Sequence, residues 1–309
     1  MSFLNISLAS IKTKEMSNSS VVDEAIRFLA PFLEKKLYCQ EKKPLVIGIE
    51  GPQGSGKTTA ATNIRVKLLE KINCNIVQFS MDDFYLTFEQ QLNLNRENQD
   101  NKLLQGRGLP GTHDVELLMK IFKDLIDIDH DKSPVKIPVY DKSLHNGKGD
   151  RLPLEKWNVV EKRVDLIIFE GWFNGYTSIN TEETLIRKWN SIKATHPRKF
   201  GDVEDRHIQK INCDLRRYEQ IWGLFDLFVC IKTENINNVY RWRLQQEHAL
   251  IKKKGSGMTD MEVETFVDRY MPVYYLYYDG LGKTEEKINS LELDIDEFRN
   301  LVNSNYIMQ

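Results

Sequence analysis

The segment Gly51, Pro52, Gln53, Gly54, Ser55, Gly56, Lys57 and Thr58 constrains this chain more than any other. It fits the pattern G-x-x-x-x-G-K-[ST], a loop whose backbone N–H groups cradle phosphates. At ordinary residue usage a chance match arises in about 1% of chains this long. The context removes most of those, because the loop follows the apolar run Pro44–Glu50 (PLVIGIE) and opens a helical pattern over Lys57–Lys71. Glycines let backbone donors approach a phosphate without a Cβ in the way. The first helical turn, which includes Thr59, adds unpaired N–H groups and the positive end of a dipole. Lys57 is expected to reach the β- and γ-phosphates, and Thr58 to place its hydroxyl on Mg²⁺.

The rest of the chain supplies the frame such a loop needs. Apolar residues recur at helical spacing over Val21–Tyr38 and Asp114–Asp127, with Thr112 or Asp114 available to cap the second helix. After PLVIGIE, further short apolar runs lie at Asn75–Phe79, Val135–Val139, Asp165–Phe169 and Leu227–Ile231. Buried strands alternating with helices predict an α/β fold of the P-loop NTPase type, with a mostly parallel sheet flanked by helices. Phe84–Pro110 reads as a long loop holding one helix, 176–222 as a charged helical insertion, and Val239–Lys254 as a basic helix. The expected organisation is a loose polar tail at 1–20 and one domain over 21–309, with a lid region at 239–258.

Composition excludes several classes. At 41% hydrophobic and 28% charged residues, the chain can bury enough apolar surface to fold. A net charge of −2 predicts neither a nucleic-acid nor a membrane-surface partner. No apolar run approaches the ~18 residues of a membrane span. The Ser-rich N-terminus lacks a secretory core, so a cytoplasmic location is expected, with entry to the nucleus left open. Cys39, Cys74, Cys213 and Cys230 show no metal or redox spacing and read as buried, reduced thiols.

Two acidic sites belong with the loop. In an open α/β sheet, ligands bind beyond the carboxyl ends of the strands. Asn75–Phe79 runs directly into Ser80-Met81-Asp82-Asp83-Phe84-Tyr85, so a carboxylate there is placed to take a proton from an attacking hydroxyl or to hold Mg²⁺. Leu166–Phe169 ends in Glu170, the position from which a strand-end acid orients the metal. Asp165 begins that strand and lies too far back.

Taken together, GPQGSGKT, SMDDFY, LPGTHD, PVYDKSLHNGKGDR and IIFEGW resemble the glycerate 3-kinase branch of the phosphoribulokinase, uridine kinase and pantothenate kinase group, and within it the fungal glycerate-kinase-like proteins. The resemblance runs from about Val21 to Tyr278. It implies an ATP- and Mg²⁺-dependent kinase with a small-molecule acceptor, glycerate or a related alcohol, and Asp82 as general base. It implies acceptor contacts from Tyr140, Asp141, Lys142 and Arg151, to which Asp83, Tyr85 and His113 are added by position. It also implies that Arg241 and Arg243 of a lid helix close over the transferring group beside Lys57. Two apart on a helix, those arginines do not share a face, so one of them is expected to point at the phosphates. The competing classes are a P-loop ATPase or nucleotide-dependent regulator without a small acceptor, and a nucleotide binder without catalysis. A GTPase reading fails because Asn101-Lys102-Leu103-Leu104 lacks the aspartate of N-K-x-D.

Overall fold

Four of the five apolar runs enter one sheet, and the third does not. The computed structural model describes residues 20–127, 134–281 and 288–309. The tail expected at 1–20 lies outside these, apart from Ser20. In chain order the elements are α1 (Val21–Tyr38), β1 (Leu45–Glu50), α2 (Lys57–Lys71), β2 (Ile76–Ser80), α3 (Phe88–Glu97) and α4 (Val115–Ile126). Four short strands follow: β3 (Val135–Ile137), β4 (Tyr140–Asp141), β5 (Asp150–Arg151) and β6 (Asn158–Val160). Then come β7 (Leu166–Gly171), α5 (Glu182–Thr195), α6 (Pro197–Phe200), α7 (Asp205–Arg216), α8 (Glu219–Trp222) and β8 (Leu227–Thr233). The remainder is α9 (Asn238–Lys254), α10 (Asp260–Asp268), α11 (Met271–Tyr277), β9 (Asn289–Ile295) and β10 (Leu301–Ile307).

The main sheet has the order β10-β9-β8-β1-β7-β2, parallel except where β10 turns back on β9. Strand residues alternate between two cores because successive side chains face opposite sides. Ile47 and Ile49 of β1, Leu166 and Ile168 of β7, and Leu227 and Val229 of β8 pack under α1 and α2. Val46, Ile167, Phe169 and Phe228 face the other way, toward α4 and the helices between β7 and β9. Gly48 leaves space in β1 for Phe225, whose ring would lie 2.4 Å from a Cβ there.

Three features differ from the sequence reading. Val135–Ile137 pairs with β6 in a separate two-stranded sheet. The C-terminal strands β9 and β10 went unread, because NSLELDI alternates apolar with acidic residues and so lacks the continuous apolar run of the other parallel strands. The four cysteines are free thiols, but Cys39 and Cys213 are exposed and Cys74 is half-buried, so burial holds for Cys230.

The sheet order is what assembles the site. Strand β7 lies between β1 and β2, with Ile49 and Ser80 both registered opposite Glu170. The loop after β1, the acid at the end of β7 and the turn after β2 therefore emerge side by side.

Candidate active site

Gly54 and Gly56 adopt φ values of 83° and 93°, which a side chain disfavours. Gly56 is the N-cap of α2 and contributes no side-chain cap, so the first-turn amides stay available to a ligand. Behind the loop sits a support that no motif announced. A Cβ on Gly54 would lie 2.5 Å from Trp242 Cβ. Arg299 donates from Nε to the Gly54 carbonyl at 2.6 Å and stacks on the Trp242 ring at 5.4 Å. The Gln53 N–H donates to the Tyr274 hydroxyl at 2.9 Å. The tyrosines of Phe266–Leu281 read in sequence as core packing with hydroxyls to water. They are core, but the Tyr274, Tyr275, Tyr277 and Tyr278 hydroxyls bond to protein.

Thr58 donates from Oγ1 to Glu170 Oε1 at 3.0 Å. The second carboxylate oxygen of Glu170 is buried and has no partner among the described residues.

Asp82 and Asp83 lie in the single turn Met81–Phe84 that follows β2. Their two carboxylates do different things. The Ser80 N–H donates to Asp83 Oδ2 at 2.9 Å, and the Asp82 N–H donates to Ser80 Oγ, so Asp83 closes a capping box. Burial pushes the Asp83 carboxyl up to about 6, against the Ser80 amide and with help from the nearby charges of Asp82 and Glu170. Asp82 points elsewhere. Its Oδ1 accepts from the Tyr85 hydroxyl at 2.7 Å, and its Oδ2 pairs with Lys142 Nζ at 2.5 Å. Burial alone would raise Asp82, but Lys142, Lys57 and the Tyr85 hydroxyl together hold its carboxyl well below the usual range. The Asp82 charge in turn raises Lys142. Burial raises the Tyr85 phenol further still.

Around this pair the acceptor candidates form a stack. Tyr85 stacks on His113 at 4.6 Å and meets Tyr140 edge-on at 5.2 Å, with Arg107 over the Tyr140 ring at 5.8 Å. Hydrogen bonds Leu86 N–H to Thr112 O and Asp114 N–H to Phe84 O tie the Gly-rich loop at 106–113, which carries Gly106, Gly108 and Gly111, to the Asp82 turn. Asp114, not Thr112, caps α4. Burial drives the His113 imidazole down to about 3, only partly offset by Asp82, so the ring is neutral. Arg151 is mostly buried, donating to Asp114 Oδ2 at 3.2 Å and to the Tyr85 carbonyl at 2.9 Å. Asp141 accepts from the Ser143 amide and hydroxyl, which shapes the turn that carries Lys142.

Arg241 and Arg243 diverge, as their spacing requires. Arg243 stacks on Phe266 at 5.2 Å and donates to Gln246, and its charge is felt by Tyr274 behind the phosphate loop. Arg241 stacks on Phe298 at 5.0 Å and lines a cleft of about 1030 Å³ between the end of β8 and the C-terminal hairpin. The structure thus brings Lys57, Thr58, Asp82, Glu170, Tyr85, His113, Tyr140 and Lys142 around one locus, sets Asp83 and Arg151 as struts beside it, and turns Arg241 toward the cleft. Sequence reasoning missed Arg107, Trp242, Tyr274 and Arg299. The Gly106–Gly108 flank of Arg107 was its one legible signal.

Comparison with known proteins identifies the family. The model of the phosphoribulokinase / uridine kinase family matches residues 46–189. The probable ATP-dependent kinase TDA10 of Saccharomyces cerevisiae is 42% identical, over 92% of this chain and 96% of its own. The chloroplastic D-glycerate 3-kinase of Arabidopsis thaliana is 36% identical over 85% of this chain and 55% of its own. The solved D-glycerate 3-kinase of Cryptococcus neoformans superposes with a TM-score of 0.81 at 33% identity, over 93% of this chain and 99% of its own. No described helix is long and apolar enough to cross a membrane. With a phosphate loop, a strand-end acid and an ion-paired aspartate converging beyond one parallel sheet, and with the yeast kinase matched along nearly its full length, this chain belongs to the phosphoribulokinase / uridine kinase family and is an ATP-dependent kinase that phosphorylates a hydroxyl of a small molecule.

Proposed function

We propose that this kinase transfers the γ-phosphoryl group of Mg²⁺·ATP to a hydroxyl of a small anionic acceptor, with D-glycerate the favoured substrate. The observation that carries the reading is the Asp82–Lys142 pair. It joins an ionised carboxylate to a half-exposed cation beside the phosphate loop, with Arg107 close by. A hydroxy acid satisfies both partners: its carboxylate draws Lys142 away, and its hydroxyl takes the place of Lys142 at Asp82. Asp82 then orients that hydroxyl for in-line attack and accepts its proton late, because bond-making lags in a loose transition state. Uncharged alcohols leave Lys142 on Asp82 and keep the base occupied. The D-glycerate 3-kinases among the relatives support this choice of acceptor.

The phosphates lie in the loop Gly51–Thr59, on the amides that the bonds to Tyr274 and Pro52 leave free, with Lys57 reaching the transferring group. Thr58 and Glu170 suit a hard cation: both offer oxygen donors, and one Glu170 oxygen is buried without a described partner. Held by these two residues, a divalent cation would neutralise charge developing on the phosphates. Arg243, whose charge reaches Tyr274, is the lid arginine assigned to the phosphates, while Arg241 faces the cleft assigned to the nucleoside. In this reading residues 21–309 act as one catalytic unit, with 176–222 as an insertion, 239–258 as a lid, and the cytoplasm as its compartment.

A coupled ADP-release assay on the full chain tests the reading with D-glycerate, uridine and pantothenate. ADP formation dependent on D-glycerate, with ³¹P detection of a phosphorylated product, is the expected result. Equal ADP release with no acceptor present refutes it.

A further inference from the structure

Tyr218 belongs to no sequence motif. It lies between α7 and α8, fully buried, and its hydroxyl reaches out of the helical segment 176–222 to the Gly-rich loop. The Gly111 N–H donates to the phenol oxygen at 3.0 Å, and His113 Nδ1 lies 2.9 Å from the same oxygen. An amide N–H only donates, so Gly111 uses a lone pair of the phenol. If Nδ1 also carried a hydrogen, the phenol would accept twice. Its own hydrogen would then be buried without an acceptor, because among the described residues no acceptor other than His113 Nδ1 is bonded to the Tyr218 hydroxyl.

We infer that Tyr218 donates its hydrogen to His113 Nδ1, fixes the imidazole hydrogen on Nε2, and thereby presents His113 as a hydrogen-bond donor to an oxygen of the acceptor. His113 is 2% exposed, and Nε2 has no partner among the described residues, a vacancy that native interiors rarely keep without a use. The ring stacks on Tyr85, whose hydroxyl is bonded to Asp82, and the Asp82 charge acts on it, so the imidazole lies against the acceptor site. The low pKa of the ring keeps it a neutral donor at physiological pH. Lys142 then supplies charge while His113 reads the position of an oxygen. A site built to bond a given oxygen rejects analogues that lack it. Tyr218 is a positioning residue, and through it the helical segment sets acceptor specificity. This inference rests on the kinase reading for its ligand but not for its tautomer.

Side-chain ¹⁵N spectra of the histidine-labelled full chain decide the tautomer, with His113→Gln assigning the resonances. The expected spectrum has a bare Nδ1 and a protonated Nε2 from pH 6 to 8, and Tyr218→Phe populates the other tautomer. A protonated Nδ1 in the wild type overturns the inference. Kinetics supply a second reading. His113→Gln keeps an N–H at the ε position and retains acceptor kcat/KM within about 10-fold, whereas His113→Asn and His113→Ala lose roughly 10- to 100-fold; the KM for ATP is unchanged in all three. Equal losses in Gln and Asn, in chains with matched melting curves, mark a packing role and also overturn it. The spectrum reports whether or not the enzyme turns over, so a wrong kinase reading shows itself separately, as ADP release independent of any acceptor.

Discussion

Arg299 donates from its Nε to the carbonyl of Gly54 at 2.6 Å, across 245 positions of sequence. The contact turns that carbonyl outward, toward the C-terminal hairpin, and leaves the loop amides facing in. Arg299 also stacks on Trp242 and donates to Gln245 at 2.8 Å, so its guanidinium is held on three sides. Hydrogen bonds from charged donors contribute about 1.5–3 kcal/mol. Arg299→Ala should raise the KM for ATP by roughly 10-fold or more and leave the KM for the acceptor unchanged. Steady-state kinetics with each substrate varied checks this, and an unchanged ATP KM removes Arg299 from the nucleotide site.

Asp82→Asn removes the acid without changing side-chain volume. General-base assistance is worth about 10²–10⁴ in rate. The variant should lose that much kcat while its ATP affinity, measured by nucleotide titration, stays within about twofold. Full turnover in Asp82→Asn would take this residue out of the mechanism.

Asp83 gives the protein a pH signature. Its carboxyl rises from 3.8 to about 6 on folding, so the folded state holds the proton more tightly than the unfolded chain. The associated stabilisation is complete below about pH 4 and is lost as pH rises through 6. Asp83→Asn keeps an acceptor for the Ser80 amide but carries no charge. Its stability relative to wild type should therefore increase between pH 4 and 7, by about 1–3 kcal/mol. Urea denaturation at pH 4.5 and 7.5 measures the change, and a pH-independent difference contradicts it.

Glu170→Gln removes the charge at the end of β7 but leaves a side chain able to accept from Thr58. Residues that orient a metal or its waters are worth about 10–100-fold in metal affinity. The Mg²⁺ concentration giving half-maximal activity should rise by that factor at saturating ATP. A magnesium titration unchanged from wild type would show that Glu170 serves the fold alone.

The parts that the sequence made legible follow from local physics. Gly51–Thr58 with its flanking strand and helix, the strand ends before Asp82 and Glu170, and the opposed faces of Arg241 and Arg243 each rest on residues close together in the chain. Pairings set by distant segments were not legible. Tyr218, Tyr274 and Arg299 act on backbone or ring atoms of residues 53, 54, 111 and 113, and nothing in their own neighbourhoods distinguishes them from ordinary core or surface residues. The hairpin of β9 and β10 was hidden because its acidic positions mask a strand that buries one face. The divergent fates of adjacent Asp82 and Asp83 depended on which carboxylate closed the capping box, a choice made by backbone geometry after Ser80.

The braces on the phosphate loop have a temporal consequence. Gly51–Thr58 leaves the ribosome early, whereas Trp242, Tyr274 and Arg299 are all translated far later. A nascent chain therefore carries the nucleotide-binding motif without the full scaffold that orients it until residue 299 has been made. Ordered capture of the nucleotide is deferred until then, and a premature stop between codons 59 and 298 yields a chain with the signature but without its full brace.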